Sequence, residues 1–194
     1  NPDQPGMQKS SRTDYVYRYG NLTWKTEYED LNDARPVRIE YTGYNLPDTD
    51  KWILDRMCLH TVFDGSGVFD VEQQTYYYYD QNPVACQPIT GPGLLTKEEA
   101  EDHSDAAHPV VVSTRTGTYD SSGNLQTVTD ARGNTTELSW NHSRFGDLYL
   151  TRVDLPVVPG RSTRVQTLYT YNQFGLRSAK WDFANQTLEG YEYD

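Results

Sequence analysis

The chain has 194 residues, with 28 acidic and 17 basic side chains, a formal net charge of −11 and a sequence pI near 4.7. This acidic balance argues against nucleic acid and anionic membranes as partners. The longest aliphatic run, residues 109–112, is far shorter than the ~18 residues of a membrane span, so we expect none. The chain also carries 16 Tyr and 4 Trp, which indicates a core built largely from aromatic rings.

Residues 1–14 are polar, and we expect them to form a linker or a frayed N-terminus. Residues 15–95 contain tyrosine-rich segments that end at Asp, Asn or Gly, which we interpret as degenerate hairpins. The copies are residues 17–22, residues 40–45, the segment Phe63-Asp64-Gly65-Ser66-Gly67, and residues 77–80.

Residues 96–116 are predicted to be an acidic loop insertion followed by a return strand, with one or two helical turns within residues 96–103. His103 and His108 lie among five carboxylates there. That grouping suggests either a weak divalent-metal site or a solvated acidic loop, and we favour the loop.

Residues 117–194 contain a repeat: an aromatic residue, then Asp or Asn, two free positions, Gly, and a short strand. Two full copies occur, and each closes on an aromatic residue with Asn or Asp after 21 or 22 residues, with an insertion near residues 154–165. The signature positions are Tyr119, Asp120, Gly123, Asn124, Leu125, Asp130, Gly133, Asn134, Trp140, Asn141, Tyr171, Asn172, Gly175, Asp182, Tyr193 and Asp194.

The repeat predicts its own turn chemistry. The Asp carboxylate accepts the backbone N–H two residues on, and the Gly three positions later supplies the positive φ that closes a three-residue hairpin loop. Asn185 stands where Gly is expected, and Asn tolerates the same conformation. The sequence therefore predicts an all-β fold, a meander of short antiparallel hairpins with tyrosine stripes that serve packing rather than ligand binding.

Cys58 and Cys86 leave two alternatives open: a disulfide, or two small buried hydrophobic side chains. The four histidines are dispersed and no nucleophile motif accompanies them, so we predict no catalytic residue, no cofactor and no metal site. The repeat's aspartates are interpreted as turn caps rather than as acid/base groups.

The motif Tyr-Asp-x-x-Gly-Asn-Leu-x-x-Val-Thr-Asp-x-x-Gly-Asn-Thr-Thr resembles the signature of the RHS/YD-repeat family. Residues 119–141 match it almost position for position, residues 169–194 match it with one Gly replaced, and residues 76–95 resemble bacterial members. The family includes Rhs polymorphic toxins, C-components of Tc toxins, wall-associated proteins and teneurins. Its hairpins coil into a hollow β-shell that encloses a toxic domain or presents a surface for cell contact.

The resemblance implies a secreted or cell-surface, bacterial, non-catalytic segment of a larger β-shell. Its partners would be the rest of the same polypeptide or neighbouring shell segments, together with an encapsulated toxin domain or a cell-surface ligand. Rhs shells end in an Asp-Pro motif that supports autoproteolysis. This chain contains no Asp-Pro, so neither protease nor toxin is carried over.

Two alternatives belong to other functional classes. The first is a carbohydrate-binding β-module that uses exposed aromatic platforms, with Trp24, Trp52, Trp140 and Trp181 as candidates. The second is a hydrolase fragment, for which we expect no activity.

Overall fold

A computed structural model describes residues 10–65, 70–105, 107–160 and 163–193. These residues form an all-β meander in which antiparallel neighbours follow one another in chain order. The strands are β1 (Arg12–Arg18), β2 (Asn21–Tyr28), β3 (Arg38–Tyr44), β4 (Met57–Asp64), β5 (Asp70–Tyr79), β6 (Leu95–Asp102), β7 (Val110–Tyr119), β8 (Leu125–Thr129), β9 (Thr135–Ser139), β10 (Arg152–Asp154), β11 (Gln166–Tyr171), β12 (Arg177–Asp182) and β13 (Thr187–Gly190). Within this described part, no helix has the length and apolarity that a membrane crossing requires.

The chain divides into two compact units, residues 1–114 (the N-terminal unit) and residues 115–194 (the C-terminal unit). Strand β7 contributes residues to both. Strand β1 already begins at Arg12, so residues 12–14 are not part of a linker. The prediction for residues 1–9 lies outside the described residues, as do Ser66 and Gly67 of the turn predicted after β4.

The N-terminal unit starts with a tight hairpin. Arg18 and Asn21 are paired across it, and the two residues between them, Tyr19 and Gly20, have φ of 52° and 82°. Two consecutive positive φ values are typical of the type I′ turn, whose twist matches that of the flanking strands. The predicted degenerate copy at residues 40–45 is wrong as a turn, because β3 continues through Gly43 to Tyr44, with a register shift against β4 between these two residues.

The N-terminal unit is held together around β4. Cys58, Thr61, Val62 and Phe63 of this strand are buried, and Trp24 lies 6.3 Å from Phe63 between ring centroids. Only five hydrophobic side chains in the whole described part are buried, and Ile53 and Ile89 are the two that lie in loops. A core this small leaves much of the packing to half-buried aromatic rings, as the composition indicates.

The segment predicted as an acidic loop with helical turns is instead strand β6, which pairs with β5. Glu99 of this strand is half-buried rather than free in solvent. Tyr76 lies opposite Glu99, and the Tyr78 hydroxyl donates to Glu99 at 3.2 Å. The pKa of Tyr78 is raised to about 12, chiefly because the ring is partly buried and then because the Glu99 carboxylate lies nearby. The pairing partner, rather than the local acidic composition, determines the conformation of this segment.

A disulfide joins Cys58 in β4 to Cys86 in the loop between β5 and β6, with 4.9 Å between the Cα atoms. Cys58 is 2% exposed, so the bond anchors this long loop directly to the buried strand. The same loop is held at its base by Asp80, whose carboxylate accepts the backbone N–H groups of Gly93 at 3.1 Å and Leu94 at 2.9 Å.

We predict that the Cys58→Ser/Cys86→Ser variant lowers the free energy of unfolding of the N-terminal unit by about 3–4 kcal/mol, because the bond closes a loop of 28 residues. Urea unfolding with and without reductant measures the change. The variant should show no further loss in reductant. A wild-type curve that does not move under reducing conditions would contradict the assignment.

Candidate functional site: the repeated hairpin turns

The turn at Asp120 forms the three-residue loop that the repeat predicts. One carboxylate oxygen, Oδ1, accepts the backbone N–H groups of Ser122 and Asn124, each at 2.9 Å. The other, Oδ2, accepts the Asn124 side-chain amide at 3.2 Å. Gly123 has a φ of 83°, and the Asp120 N–H bonds the Asn124 carbonyl at 2.9 Å, which closes the loop.

The turn at Asp130 repeats this arrangement bond for bond. Its Oδ1 accepts the N–H groups of Arg132 and Asn134 at 2.9 Å, and its Oδ2 accepts the Asn134 side-chain amide at 3.0 Å. Gly133 has a φ of 79°. The same three hydrogen bonds to the carboxylate therefore recur ten residues apart.

The turn at Asn172 follows the same plan with an amide oxygen in place of the carboxylate. Asn172 Oδ1 accepts the N–H groups of Phe174 at 2.9 Å and Leu176 at 3.1 Å, and Gly175 has a φ of 80°. Leu176 stands where the first two turns have Asn, so the side-chain bond is absent from this turn. The bonds from main-chain N–H groups to Asn172 Oδ1 therefore keep the loop without a bond between two side chains.

At Asp182 the predicted role of Asn185 is wrong. The left-handed residue is Gln186, with φ 53°, because four residues rather than three separate the paired Asp182 and Thr187. Asp182 still caps the turn: it accepts the N–H of Ala184 at 2.8 Å and the Asn185 side-chain amide at 2.9 Å.

Asn141 does not begin a hairpin, and a loop runs from it to β10. Its side-chain oxygen accepts the Thr151 hydroxyl at 2.6 Å. His142 performs the turn function instead, since its Nδ1 accepts the N–H groups of Arg144 at 3.2 Å and Phe145 at 3.3 Å. The last signature residue, Asp194, lies outside the described residues.

An aromatic cluster fills this loop, and the sequence reasoning missed it. Phe145 lies 5.0 Å from both His142 and Tyr149, and Tyr149 lies 4.7 Å from Tyr171, all between ring centroids. Tyr149 of the cluster packs against the turn at Asn172: a Cβ added at Gly175 would lie 2.9 Å from Tyr149 Cζ. Residues 142–150 follow no copy of the repeat, so no local sequence pattern predicts this cluster.

Tyrosine hydroxyls provide a second recurring contact. Tyr44 donates to the Leu22 carbonyl at 2.9 Å, Tyr79 to Met57 at 2.8 Å, and Tyr171 to Leu150 at 2.7 Å. The separations are 22, 22 and 21 residues, which is the repeat length. The hydroxyl of a ring near the end of one strand thereby satisfies a main-chain acceptor one repeat earlier.

Two further aromatic residues make the same kind of bond over shorter distances along the chain. Trp140 Nε1 donates to the Leu125 carbonyl at 2.8 Å, and the Tyr193 hydroxyl donates to the Arg177 carbonyl at 2.8 Å. Tyr119 is half-buried at the end of β7, and burial raises its pKa. The signature aromatics thus hold adjacent hairpins together.

The turn hydrogen bonds stabilise the ionised carboxylates. The pKa of Asp120 is lowered, chiefly by the backbone N–H of Asn124, and the pKa of Asp130 chiefly by the side-chain amide of Asn134. The pKa of Asp182 is lowered in the same way, chiefly by the Asn185 amide. Hydrogen bonds donated to a charged acceptor favour its charged form.

The histidines do not converge on one site in the described part of the chain. His60 contacts Thr42 Oγ1 at 3.3 Å, His103 contacts Glu101 at 3.2 Å, and His108 contacts Asp105 at 3.0 Å. No group of three or more His, Cys, Asp or Glu with metal-binding geometry occurs among the described residues.

The four tryptophans occupy two kinds of environment. Trp24 is half-buried against Tyr41, with 4.6 Å between ring centroids, and Trp140 is fixed by its indole hydrogen bond. Trp52 is 80% exposed and Trp181 is 43% exposed. Only these last two present substantial ring surface to solvent.

No protein-family model matches the chain, and no curated protein matches it. Among solved structures, 96% of the chain is similar to 9% of a chain in the TcdB2-TccC3-Cdc42 crystal structure, at 16% identity and a TM-score of 0.47. A TcdB2-TccC3 structure matches 95% of the chain over 9% of its own, at 19% identity and a TM-score of 0.43. A protein with unknown function from Bacteroides fragilis is similar over 78% of this chain and 94% of its own, at 15% identity and a TM-score of 0.39.

The chain therefore spans about a tenth of the TcdB2-TccC3 chains that it matches. These likenesses concern the arrangement of strands, and we take neither activity nor partner from them.

We predict that Gly175→Ala destabilises the C-terminal unit more than Gly123→Ala. Both glycines have φ near 80°, where a Cβ costs roughly 1–2 kcal/mol. The added Cβ at Gly123 meets open space, whereas at Gly175 it meets the ring of Tyr149, which is itself packed against Phe145 and Tyr171. Urea unfolding of the two variants measures the difference, and equal losses would contradict the described position of Tyr149.

We predict that stability falls as pH is lowered below about 4, because the folded pKa values of Asp120 and Asp130 lie below the unfolded value of about 3.9. Their contribution is present above pH 4 and is lost as pH falls through the folded pKa values. Asp120→Asn/Asp130→Asn should make the acid-induced loss smaller, measured as the urea midpoint between pH 5 and pH 2.5. Glu192→Gln, at an exposed carboxylate, should keep the wild-type dependence, and an unchanged dependence in the double variant would refute the capping role.

Proposed function

We propose that the chain is a non-catalytic structural segment of a large extracellular RHS/YD-repeat protein, part of a β-shell or surface scaffold used for toxin encapsulation or cell-surface contact. The observation that carries this proposal is the recurrence of one turn geometry at Asp120, Asp130 and Asn172. A turn that fixes its own hairpin register from within five residues is suited to being copied many times along a long chain.

The strand order supports the same function. Each described strand pairs with its neighbours in sequence, so the sheet extends by adding hairpins without rearranging those already present. The signature carboxylates form hydrogen bonds within turns, and the signature aromatic groups form hydrogen bonds between hairpins. These structural roles explain the spacing of the residues, so no catalytic role is needed to explain it.

The extracellular location is supported by the disulfide between Cys58 and Cys86, since such bonds persist in oxidising compartments. The proposed partners are the rest of the same polypeptide or neighbouring shell segments, with an enclosed toxin domain or a cell-surface ligand. Among the described strands, β1 and β13 each have one neighbour, and each therefore offers a second edge for pairing.

We predict that the isolated 194-residue chain self-associates, because unpaired strand edges pair with other chains. Light scattering coupled to size-exclusion chromatography should give a mass above 22.3 kDa that rises with concentration. Tyr15→Lys/Tyr17→Lys, which places charges on the exposed edge strand β1, should lower this mass. Leu148→Lys, at a residue 77% exposed but outside the edge strands, is the control and should leave it unchanged. A monodisperse monomer at all concentrations would contradict the proposal.

A further inference from the structure

A cavity of about 570 Å³ lies over the middle of the C-terminal unit. Glu137 of β9 is paired with Asp154 of β10, and Asp154 with Gln166 of β11, so the three side chains share one face of the sheet. The lining also includes two basic side chains and one aromatic side chain, which are Arg152, Arg164 and Phe183. The volume falls within the range of about 300–1,000 Å³ that is typical of small-molecule sites.

The charges in this cavity compensate one another. Arg152 Nε lies 2.7 Å from Asp154 Oδ2, and Arg164 Nη1 lies 2.7 Å from Glu137 Oε1. Two guanidinium groups therefore face two carboxylates, and the lining carries no net charge. Such a site offers both hydrogen-bond donors and acceptors but does not favour an ion of either sign.

One acceptor in this lining is left over. Asp154 is only 3% exposed, and its Oδ1 has no hydrogen-bond partner among the described residues. A buried acceptor without a partner is costly, by roughly 1–3 kcal/mol. A donor entering the cavity would satisfy it.

An aromatic rim borders the cavity. Phe183, which lines it, lies 5.6 Å from Trp181 between ring centroids, and the two side chains are 46% and 43% exposed. Trp181 is paired with Leu168, and Leu168 with Arg152, so the indole lies on the same face of the sheet as the charged lining. An exposed aromatic pair at the mouth of a polar cavity gives a ligand one apolar surface and several polar contacts.

We propose that this cavity is a saccharide-binding site. A sugar is neutral, carries hydroxyl groups that both donate and accept, and has an apolar ring face. These features match the compensated charges, the free Asp154 oxygen and the Trp181–Phe183 rim, respectively. A hydroxyl group donates to Asp154 Oδ1, others accept from the guanidinium groups, and the ring stacks on the exposed indole.

The test is a titration of the 194-residue chain with maltose, cellobiose, lactose and chitobiose. The four indole N–H resonances in a proton–nitrogen NMR spectrum are the readout, and the Trp181→Ala spectrum assigns the resonance of interest. At least one sugar should shift the Trp181 indole in a saturable manner while the indoles of Trp24 and Trp52 stay in place.

Two variants and a control decide the outcome. Trp181→Ala, at an exposed site, should weaken binding at least about tenfold by calorimetry, and Asp154→Asn should weaken it by about fivefold. Phe174→Ala removes a ring that is 76% exposed elsewhere in the same unit and should bind like wild type. Circular dichroism checks that each variant is folded. If Asp154→Asn does not fold, the result for Trp181→Ala decides the test. Absence of binding by all four sugars, or full binding by Trp181→Ala, would overturn the proposal.

Discussion

The structure depends on one local interaction: a side-chain oxygen of Asp or Asn accepts the main-chain N–H groups two and four residues further on. At Asp120 and Asp130 the two bonds have the same length, and the glycine between them takes the same left-handed conformation. This interaction fixes a loop of three residues. The loop length fixes the strand register, and the register decides which side chains share a face.

From that register follows the role of the aromatic residues. A tyrosine at the end of a strand meets the carbonyl group of a residue about one repeat earlier, as Tyr44, Tyr79 and Tyr171 do. The rings provide packing because few aliphatic side chains are buried. Their hydroxyl groups form hydrogen bonds with backbone carbonyl groups that would otherwise bond only to water. The high tyrosine content is therefore the composition of the repeat itself.

The turns could be predicted from the sequence because their hydrogen bonds span at most four residues, so the pattern at Asp120 or Asn172 carries all the information needed. At Asp182 one additional loop residue moved the left-handed position from Asn185 to Gln186, a change that only the strand pairing reveals. The acidic segment in β6 was misassigned because its conformation is set by pairing with β5, which no local pattern records. The cavity at Asp154 was equally out of reach, since it requires the register of three strands at once.

The most direct test of the central interaction is amide hydrogen exchange measured by NMR on the wild-type chain. The N–H groups of Ser122, Asn124, Arg132 and Asn134 lie in or next to loops, yet each donates to a carboxylate. We predict that they exchange as slowly as amides within the neighbouring strands β8 and β9. Exchange as fast as that of Ser121 and Ala131, whose amides have no hydrogen bond among the described residues, would contradict the account.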